Sequence, residues 1–348
     1  MKTKFKKIIN NLGLLQTFQF IKAACLFMSG MVVCFITSKT PASSYQAMIF
    51  LFCKTSGRFN DFISGLISFL RPATPFSPVD GVLGMMTQER LLKITQGLNE
   101  RGYYVFEENK LSSDVCDRIL QLGLEMPVNV REVPQLTGEK YNRSKPRAIR
   151  YDFSSRDLLK SNDIQDLIAD PTLEAVARSY LKTNPIIDII TMWWNTAFSP
   201  EPSKEAAQYF HFDMDRLKWV KFFFYITDVG PDQGPHTFVE GSHRSKSIPD
   251  FLLTKGYARL EDEDVQKKFS QSSFKEFLGS RGTIIAEDTR GLHKGKNVKN
   301  GDRLVFQLQY SNHIFGSTFD KQEVTEVKSE LLNSKLMSDK RMLRNFFK

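Results

Sequence analysis

The second half of the chain contains a series of β-branched and aromatic runs, and this series constrains the fold more than any other feature. Each run is bounded by glycine, proline, aspartate or asparagine, as strands that end in tight turns are. The predicted strands cover residues 186–196, 217–227, 235–240, 282–287 and 303–313. The polar interval 244–280 has weak helical patterning and is predicted to be an insertion between strands. The sequence therefore predicts a β-rich core.

Helical segments precede the predicted strands. Residues 85–100 and 112–126 place leucine, isoleucine and valine at helical spacing, and a third helical region covers 163–181, where Pro171 starts a new helix. A short aromatic strand, 103–106, lies between the first two helices. The expected fold class is therefore α+β, or mainly β, with helices flanking the β-rich core.

The positive charge of the chain is concentrated at its N-terminus. The formal net charge is +9, yet residues 1–60 carry eight Lys and Arg residues and no Asp or Glu, and the remainder is nearly neutral. A protein that binds nucleic acid through its folded body needs a basic face on that body. The sequence therefore predicts no nucleic-acid partner. The positive charge belongs to an N-terminal segment whose function is separate from that of the body.

That segment also contains the longest apolar run, residues 23–37. A free membrane span needs roughly 20 apolar residues, so the run crosses a bilayer only if it extends back towards residue 18. The sequence leaves two alternatives open, which are membrane association, by spanning the bilayer or by lying on it, and a soluble helical hairpin packed on the body. No small-residue cleavage site ends the run, so the protein is expected not to be secreted and its body is expected in the cytoplasm.

A proline-rich stretch, residues 72–78, is typical of a linker. It suggests three parts: a basic, apolar N-terminal segment (1–78), a body (79–321) and a charged helical tail (322–348). The body has its own strands and candidate ligands, so it is expected to fold without the segment before it.

Three residues in the β-rich region have the chemistry of a metal site. His211 and Asp213 are two apart just before a strand, and residues two apart in an extended chain point to the same side. His293 lies in the turn after the strand 282–287. Two histidines and one carboxylate fill one face of an octahedral metal ion and leave the other face open, an arrangement associated with non-haem Fe(II) oxygenases.

Arg303 strengthens this interpretation. It is the first residue of the last predicted strand, where Arg303, Val305, Gln307 and Gln309 alternate with four apolar residues. The first face is too polar for a dry core and suits the inside of a barrel that holds a polar ligand. The guanidinium of Arg303 offers a bidentate fork to a carboxylate, which an oxygenase with an organic electron donor requires.

With these residues the chain resembles the phytanoyl-CoA dioxygenase family of Fe(II)- and 2-oxoglutarate-dependent oxygenases. The resemblance covers roughly residues 101–315 and rests on the motifs GYYVFEENKLSS, HFDMD, GPHTFVEGSH, DTRGLHKG and GDRLVFQ. It implies a double-stranded β-helix, a cupin-like jelly roll, flanked by helices.

The resemblance also implies the roles of the candidate residues. His211, Asp213 and His293 would be the iron ligands, and Arg303 would bind the far carboxylate of 2-oxoglutarate, with Asn195 as a further contact. The implied reaction uses O2 to oxidise a C–H bond of a small-molecule or lipid-like metabolite, by default to the alcohol, with release of succinate and CO2.

The sequence leaves two alternatives to this function. A non-catalytic, membrane-tethered jelly-roll binding protein would not need the intact triad together with Arg303, and a zinc hydrolase would need a positioned general base. Among the remaining polar residues, His236 and His243 are expected to cap a turn. Lys218 and Lys221 are expected to be solvated, although strand alternation turns one of them inward.

Overall fold

A computed structural model of the protein describes residues 14–256, 258–317, 324–339 and 341–343. Its strands are β1 (Tyr103–Phe106), β2 (Val128–Asn129), β3 (Arg150–Phe153), β4 (Ile186–Thr196), β5 (Trp219–Tyr225), β6 (His236–Val239), β7 (Phe274–Phe277), β8 (Ile284–Glu287), β9 (His293–Gly295) and β10 (Asp302–Ser311). Its helices are α1 (Leu14–Thr37), α2 (Ala42–Thr55), α3 (Arg58–Leu70), α4 (Gln88–Arg101), α5 (Ser113–Glu125), α6 (Ser155–Leu158), α7 (Asn162–Ala169), α8 (Pro171–Leu181), α9 (Asp250–Leu253), α10 (Asp262–Gln266) and α11 (Glu330–Ser338). Short 3-10 turns cover Pro134–Leu136 and Gln271–Ser273.

Two antiparallel sheets form the core of the described residues. The larger has seven strands in the order β1-β8-β5-β10-β4-β3-β2, and the smaller has three in the order β7-β6-β9. Strands distant in the chain lie side by side, since β10 pairs with both β4 and β5. Phe238 and Phe277 of the small sheet pack with Trp193, Phe223 and Val305 of the large one. The predicted mixed fold with a jelly-roll core is confirmed.

The alternation predicted for the last strand is also confirmed. Leu304, Phe306 and Leu308 of β10 belong to the largest apolar cluster, which the flanking helices cover. Arg303 and Gln307 lie on the other face of the same strand and line a cavity between the sheets. One strand thus contributes both to the core and to a polar cavity.

The N-terminal helices pack on the body through a second apolar cluster. Phe52 of α2 stacks on Phe212 with ring centroids 5.5 Å apart, and Phe27 of α1 meets Phe315 at 4.9 Å. These residues share one buried cluster with Met48. Helices α1 and α2 thus contribute side chains to the interior of the fold. The boundary at residue 78 and the other domain limits stay predictions.

Helices α1 and α3 also carry large apolar side chains that are exposed. Leu15–Thr37 is long and apolar enough to cross a membrane by length and composition. Its inner stripe includes Ala23, Phe27 and Cys34, which are buried. The outer apolar face comprises Phe18, Ile21, Met28, Val32, Phe35 and Ile36 of α1, and Phe62, Leu66, Phe69 and Leu70 of α3.

Two predicted segments differ in detail from the structure. The predicted insertion 244–280 contains two short helices and also strand β7, which pairs with β6. The sequence FKEF is too short and too polar to stand out as a strand. The predicted C-terminal helix is present as α11, whereas the parts of the prediction that fall on 318–323, 340 and 344–348 lie outside the described residues, as do the first basic residues, 1–13.

Candidate active site

His211 and His293 are brought together by their own backbones. The His211 N–H donates to the His293 carbonyl at 3.0 Å, and the His293 N–H donates to the His211 carbonyl at 2.9 Å. The imidazole centroids are consequently 4.2 Å apart. A pair 82 positions apart in the sequence thus becomes one side of a compact cluster.

Both imidazoles are buried, neutral and fixed in one tautomer. Burial lowers the pKa of His211 and of His293, so both rings are unprotonated at neutral pH. Nδ1 of His211 lies 2.9 Å from the Tyr209 carbonyl, and Nδ1 of His293 lies 2.9 Å from the Gly291 carbonyl. Because a carbonyl accepts only, each Nδ1 carries the proton and each Nε2 keeps a lone pair for a metal ion.

Asp213 supplies the carboxylate of the cluster. Its Oδ1 lies 3.7 Å from His211 Nε2, and its Oδ2 lies 3.5 Å from His293 Nε2. One ligand atom from each of the three residues lies within 4.8 Å of the others. Burial alone would raise the pKa of Asp213, but Lys221 and the two imidazoles hold it well below its usual range. The cluster thus offers two neutral nitrogens and one anionic oxygen.

Lys221 neutralises the charge around this cluster. It is buried in β5, and its Nζ lies 2.6 Å from Asp213 Oδ2 and 3.0 Å from Asp215 Oδ2. Burial lowers the pKa of Lys221, yet the two carboxylates outweigh it and raise the pKa above its ordinary value. The prediction of a solvated side chain at position 221 is wrong, because the pleat of β5 turns it towards the ligands.

Arg303 and Asn195 are direct cross-strand partners in β10 and β4. Arg303 Nη2 donates to Asn195 Oδ1 at 2.9 Å, and Trp193 Nε1 donates to the same oxygen at 2.8 Å. These bonds fix the amide so that its NH2 group is free. Asn195 Nδ2 and Arg303 Nε are buried and have no hydrogen-bond partner among the described residues.

The cluster and the Arg303–Asn195 pair line one cavity of about 250 Å³. The structure therefore brings together all five residues singled out from the sequence. Further charged side chains line the same cavity: Arg131, Arg150, Glu205, Asp215, Lys221 and Arg259.

The sequence interpretation missed several residues of this cavity. Asp215 continues the same-side spacing of HFDMD beyond Asp213, so the pattern itself contained that signal. His236 was expected to cap a turn, but its Nε2 lies 3.0 Å from Glu287 Oε1, and its ring stacks on His293 at 5.5 Å between centroids. His243, by contrast, hydrogen-bonds the Asn99 carbonyl away from the cavity.

The residues present fit iron and 2-oxoglutarate. The His/Asp/His set is the donor set of a facial triad, and the partnerless donors Arg303 Nε and Asn195 Nδ2 match a carboxylate, which only accepts hydrogen bonds. Fold and site together define a jelly-roll protein with a candidate mononuclear metal centre beside a carboxylate-binding pair.

Comparison with known proteins identifies the family to which the chain belongs. The family model for phytanoyl-CoA dioxygenase (PhyH) matches residues 98–304, more than half of the chain. The chain belongs to this family and is an Fe(II)- and 2-oxoglutarate-dependent dioxygenase, as the resemblance implied. No curated protein matches the chain.

Several solved structures are similar to the chain. HygX from Streptomyces hygroscopicus, solved with nickel, 2-oxoglutarate and hygromycin B, is 16% identical, covering 70% of this chain and 92% of its own, with a TM-score of 0.43. EctD from S. alaskensis with bound Fe is 18% identical, covering 69% and 83%, with a TM-score of 0.43. AviO1 from Streptomyces viridochromogenes Tue57 is 16% identical, covering 65% and 96%, with a TM-score of 0.42.

Proposed function

We propose that the protein hydroxylates a C–H bond of a small-molecule or lipid-like substrate, with His211, Asp213 and His293 holding the iron. The observation that carries this proposal is the meeting of the three ligands with Arg303 in one cavity. When bound, iron and 2-oxoglutarate supply the oxidising chemistry: O2 is consumed, one oxygen atom enters the substrate, and the other enters succinate as CO2 leaves.

The chain itself orients the co-substrate. Arg303 and Asn195 present their partnerless N–H groups from neighbouring strands of a rigid sheet. A carboxylate placed between them would accept two hydrogen bonds, one of them charge-assisted. The pair would then set the distance and direction from which the other end of 2-oxoglutarate reaches the ligand cluster, which lies in the same cavity.

The remaining wall of the cavity would receive the substrate. Ile189, Trp193 and Phe223 provide apolar contacts, and Arg131 and Arg259 provide positive charge. The described residues give Arg259 no ion-pair partner, and Arg131 is 3.7 Å from Asp152. A substrate with an apolar body and an anionic or polar end suits this wall.

We further propose that the protein works on the cytoplasmic face of a membrane, with α1 lying on the bilayer rather than crossing it. The outer apolar face provides surface for shallow insertion, and the basic residues of the first 60 positions attract anionic headgroups. Crossing the membrane would pull α1 off Phe315 and Met48 and expose them to water. This cost favours the in-plane arrangement.

The reaction is tested with a metabolite extract. Full-length protein, reconstituted anaerobically with Fe(II), is given 2-oxoglutarate, O2 and the extract, and products are searched for the gain of one oxygen atom. We expect such a product together with succinate. Products that lack two hydrogens would show that the reaction is desaturation or ring closure rather than hydroxylation. The lack of any oxidised product or succinate would support a binding protein instead.

The membrane proposal is tested with vesicles. Replacing Phe35, Ile36 and Phe69 by serine should reduce co-sedimentation with vesicles that contain anionic lipid. Serine at Leu278, an exposed residue that does not belong to α1 or α3, should not reduce it. Equal co-sedimentation of both variants and the wild type would contradict docking through the outer apolar face.

A further inference from the structure

A second cavity, the Lys218 cavity, lies between α3, the end of α8 and the start of β5. Its volume is about 390 Å³, within the range of ligand sites, and it shares no lining residue with the active-site cavity. Its wall is formed mainly by polar side chains, including Ser64 and Ser68 of α3 and Asn99 of α4. It therefore has the size and polarity of a site for a hydrophilic group.

Lys218 is the central cation of this cavity. Its Nζ donates one long hydrogen bond, 3.4 Å, to the Tyr180 carbonyl and lies 4.3 Å from the centroid of the Tyr180 ring. The described residues place no carboxylate in an ion pair with it. Burial and the neighbouring Arg290 lower the pKa of Lys218 to about 8. An ammonium has three donor hydrogens, so most of its hydrogen-bonding capacity is unused.

Positive charge exceeds negative charge around Lys218. Arg290 is buried and donates to Asp61 at 2.9 Å and to Asp288 at 2.6 Å, so these two carboxylates are already engaged. Lys182 and Arg244 also line the cavity, and no ion pair of either is found within the described ranges. Four cations therefore face two carboxylates, an excess of two positive charges.

Ser64 adds a neutral hydrogen-bonding group to the same wall. Its hydroxyl is buried and has no hydrogen-bond partner in the described part of the chain. Buried hydroxyls are normally hydrogen-bonded, so one without a partner on a cavity wall indicates a missing ligand or water. The hydroxyl and the cations suit an oxygen-rich anion.

We propose that the Lys218 cavity binds a phosphate monoester or a similar doubly charged oxyanion. The phosphate can belong to a soluble metabolite or to a lipid headgroup. Lys218 donates from the base of the site, and Lys182 and Arg244 from its mouth. A headgroup is within reach because the cavity is lined by Ser64, Gly65 and Ser68 of α3, the helix that also carries Leu66 and Phe69 of the outer apolar face.

The test uses full-length protein loaded with iron and saturated with 2-oxoglutarate under anaerobic conditions, so that the carboxylate-binding pair Arg303 and Asn195 is occupied. Glycerol 3-phosphate is titrated at constant ionic strength in a calorimeter. We expect Lys218→Met to weaken binding at least tenfold, because a charge-assisted hydrogen bond is lost. Lys93→Met, which removes an exposed lysine of α4, should bind as the wild type does.

A second variant covers the case in which Lys218→Met is unstable. Lys182 is exposed and has a left-handed backbone with φ of 56°, a conformation that asparagine tolerates. Lys182→Asn should therefore fold, release succinate at the wild-type rate and bind glycerol 3-phosphate about threefold more weakly, as expected for a partly solvated cation.

A vesicle arm identifies the source of the phosphate. Phosphatidylcholine vesicles with and without phosphatidic acid are compared for the wild type and Lys218→Met. Binding to phosphatidic acid that depends on Lys218 assigns the site to a headgroup, and dependence on Lys218 only with glycerol 3-phosphate assigns it to a soluble ligand. Failure of the wild type to bind either probe, or equal binding by the wild type, Lys218→Met and Lys182→Asn, would overturn the proposal.

Discussion

The ammonium of Lys221 lies 2.6 Å from Asp213 Oδ2 and so forms an ion pair with the only carboxylate of the proposed iron site. Asp215 Oδ2 lies 3.0 Å from the same nitrogen. One buried and one half-buried carboxylate therefore share one buried cation. A lysine at this place limits the charge repulsion between Asp213 and Asp215 and fixes the direction in which Asp213 points.

Removing this lysine should cost more stability than removing it together with Asp215. Lys221→Met leaves the buried Asp213 and the half-buried Asp215 without a cation, and breaking a buried pair in this way costs about 3–5 kcal/mol. The double variant Lys221→Met, Asp215→Asn removes one charge of each sign, so its loss of unfolding free energy should be smaller. Chemical denaturation of both proteins measures the difference, and an equal loss would show that Lys221 acts through packing alone.

Arg303→Lys should weaken the response to 2-oxoglutarate while leaving iron binding unchanged. Lysine keeps the charge but loses the planar fork that the carboxylate needs, and it cannot reproduce the bond to Asn195 Oδ1 in the same geometry. We expect the 2-oxoglutarate concentration at half-maximal succinate release to rise at least tenfold. Wild-type dependence on 2-oxoglutarate, or loss of iron instead, would assign Arg303 a structural role.

A chain that starts at Val79 should be much less stable than the full chain. Its loss of Met48, Leu51 and Phe52 would uncover Phe212, which lies between the ligands His211 and Asp213. Fully burying one such side chain contributes about 1.5–3 kcal/mol, so several together approach the stability of a whole domain. Thermal unfolding of the two chains measures this, and equal midpoints with equal succinate release would restore the sequence-based expectation of an independent body.

The stability of the protein should depend on pH through Lys218. Burial, together with the neighbouring cations Arg290 and Lys182, lowers the pKa of Lys218 from 10.5 to about 8 in the folded state, although Asp288 and Asp61 oppose the shift. The unfolded chain then binds more protons between these two values, so the free energy of unfolding rises with pH in this window. Lys218→Met should lack this rise. If the free energy of unfolding of the two proteins changed identically from pH 7.5 to 9.5, the lowered pKa of Lys218 would be contradicted.

Much of the site could be predicted because its signals are local in sequence. The spacing of His211 and Asp213, the turn position of His293 and the polar alternation from Arg303 all depend on strand geometry alone. Strand alternation predicts that Lys218 or Lys221 turns inward, but that Lys221 is the one that meets the ligands could not be predicted, since its direction depends on the register of β5. The N-terminal apolar runs were ambiguous for a similar reason: one side of α1 contacts the body and the other does not, and a run of apolar residues does not distinguish the sides.

The most direct test of the central proposal is succinate release by the iron-loaded wild type and by Asp213→Ala, with bound iron measured in both. Removal of the only anionic ligand should reduce iron content and abolish 2-oxoglutarate-dependent succinate release while the circular dichroism spectrum is retained. The exposed Asp114→Ala variant should behave as the wild type does. Succinate release by Asp213→Ala at a near wild-type rate would show that His211, Asp213 and His293 are not the iron site.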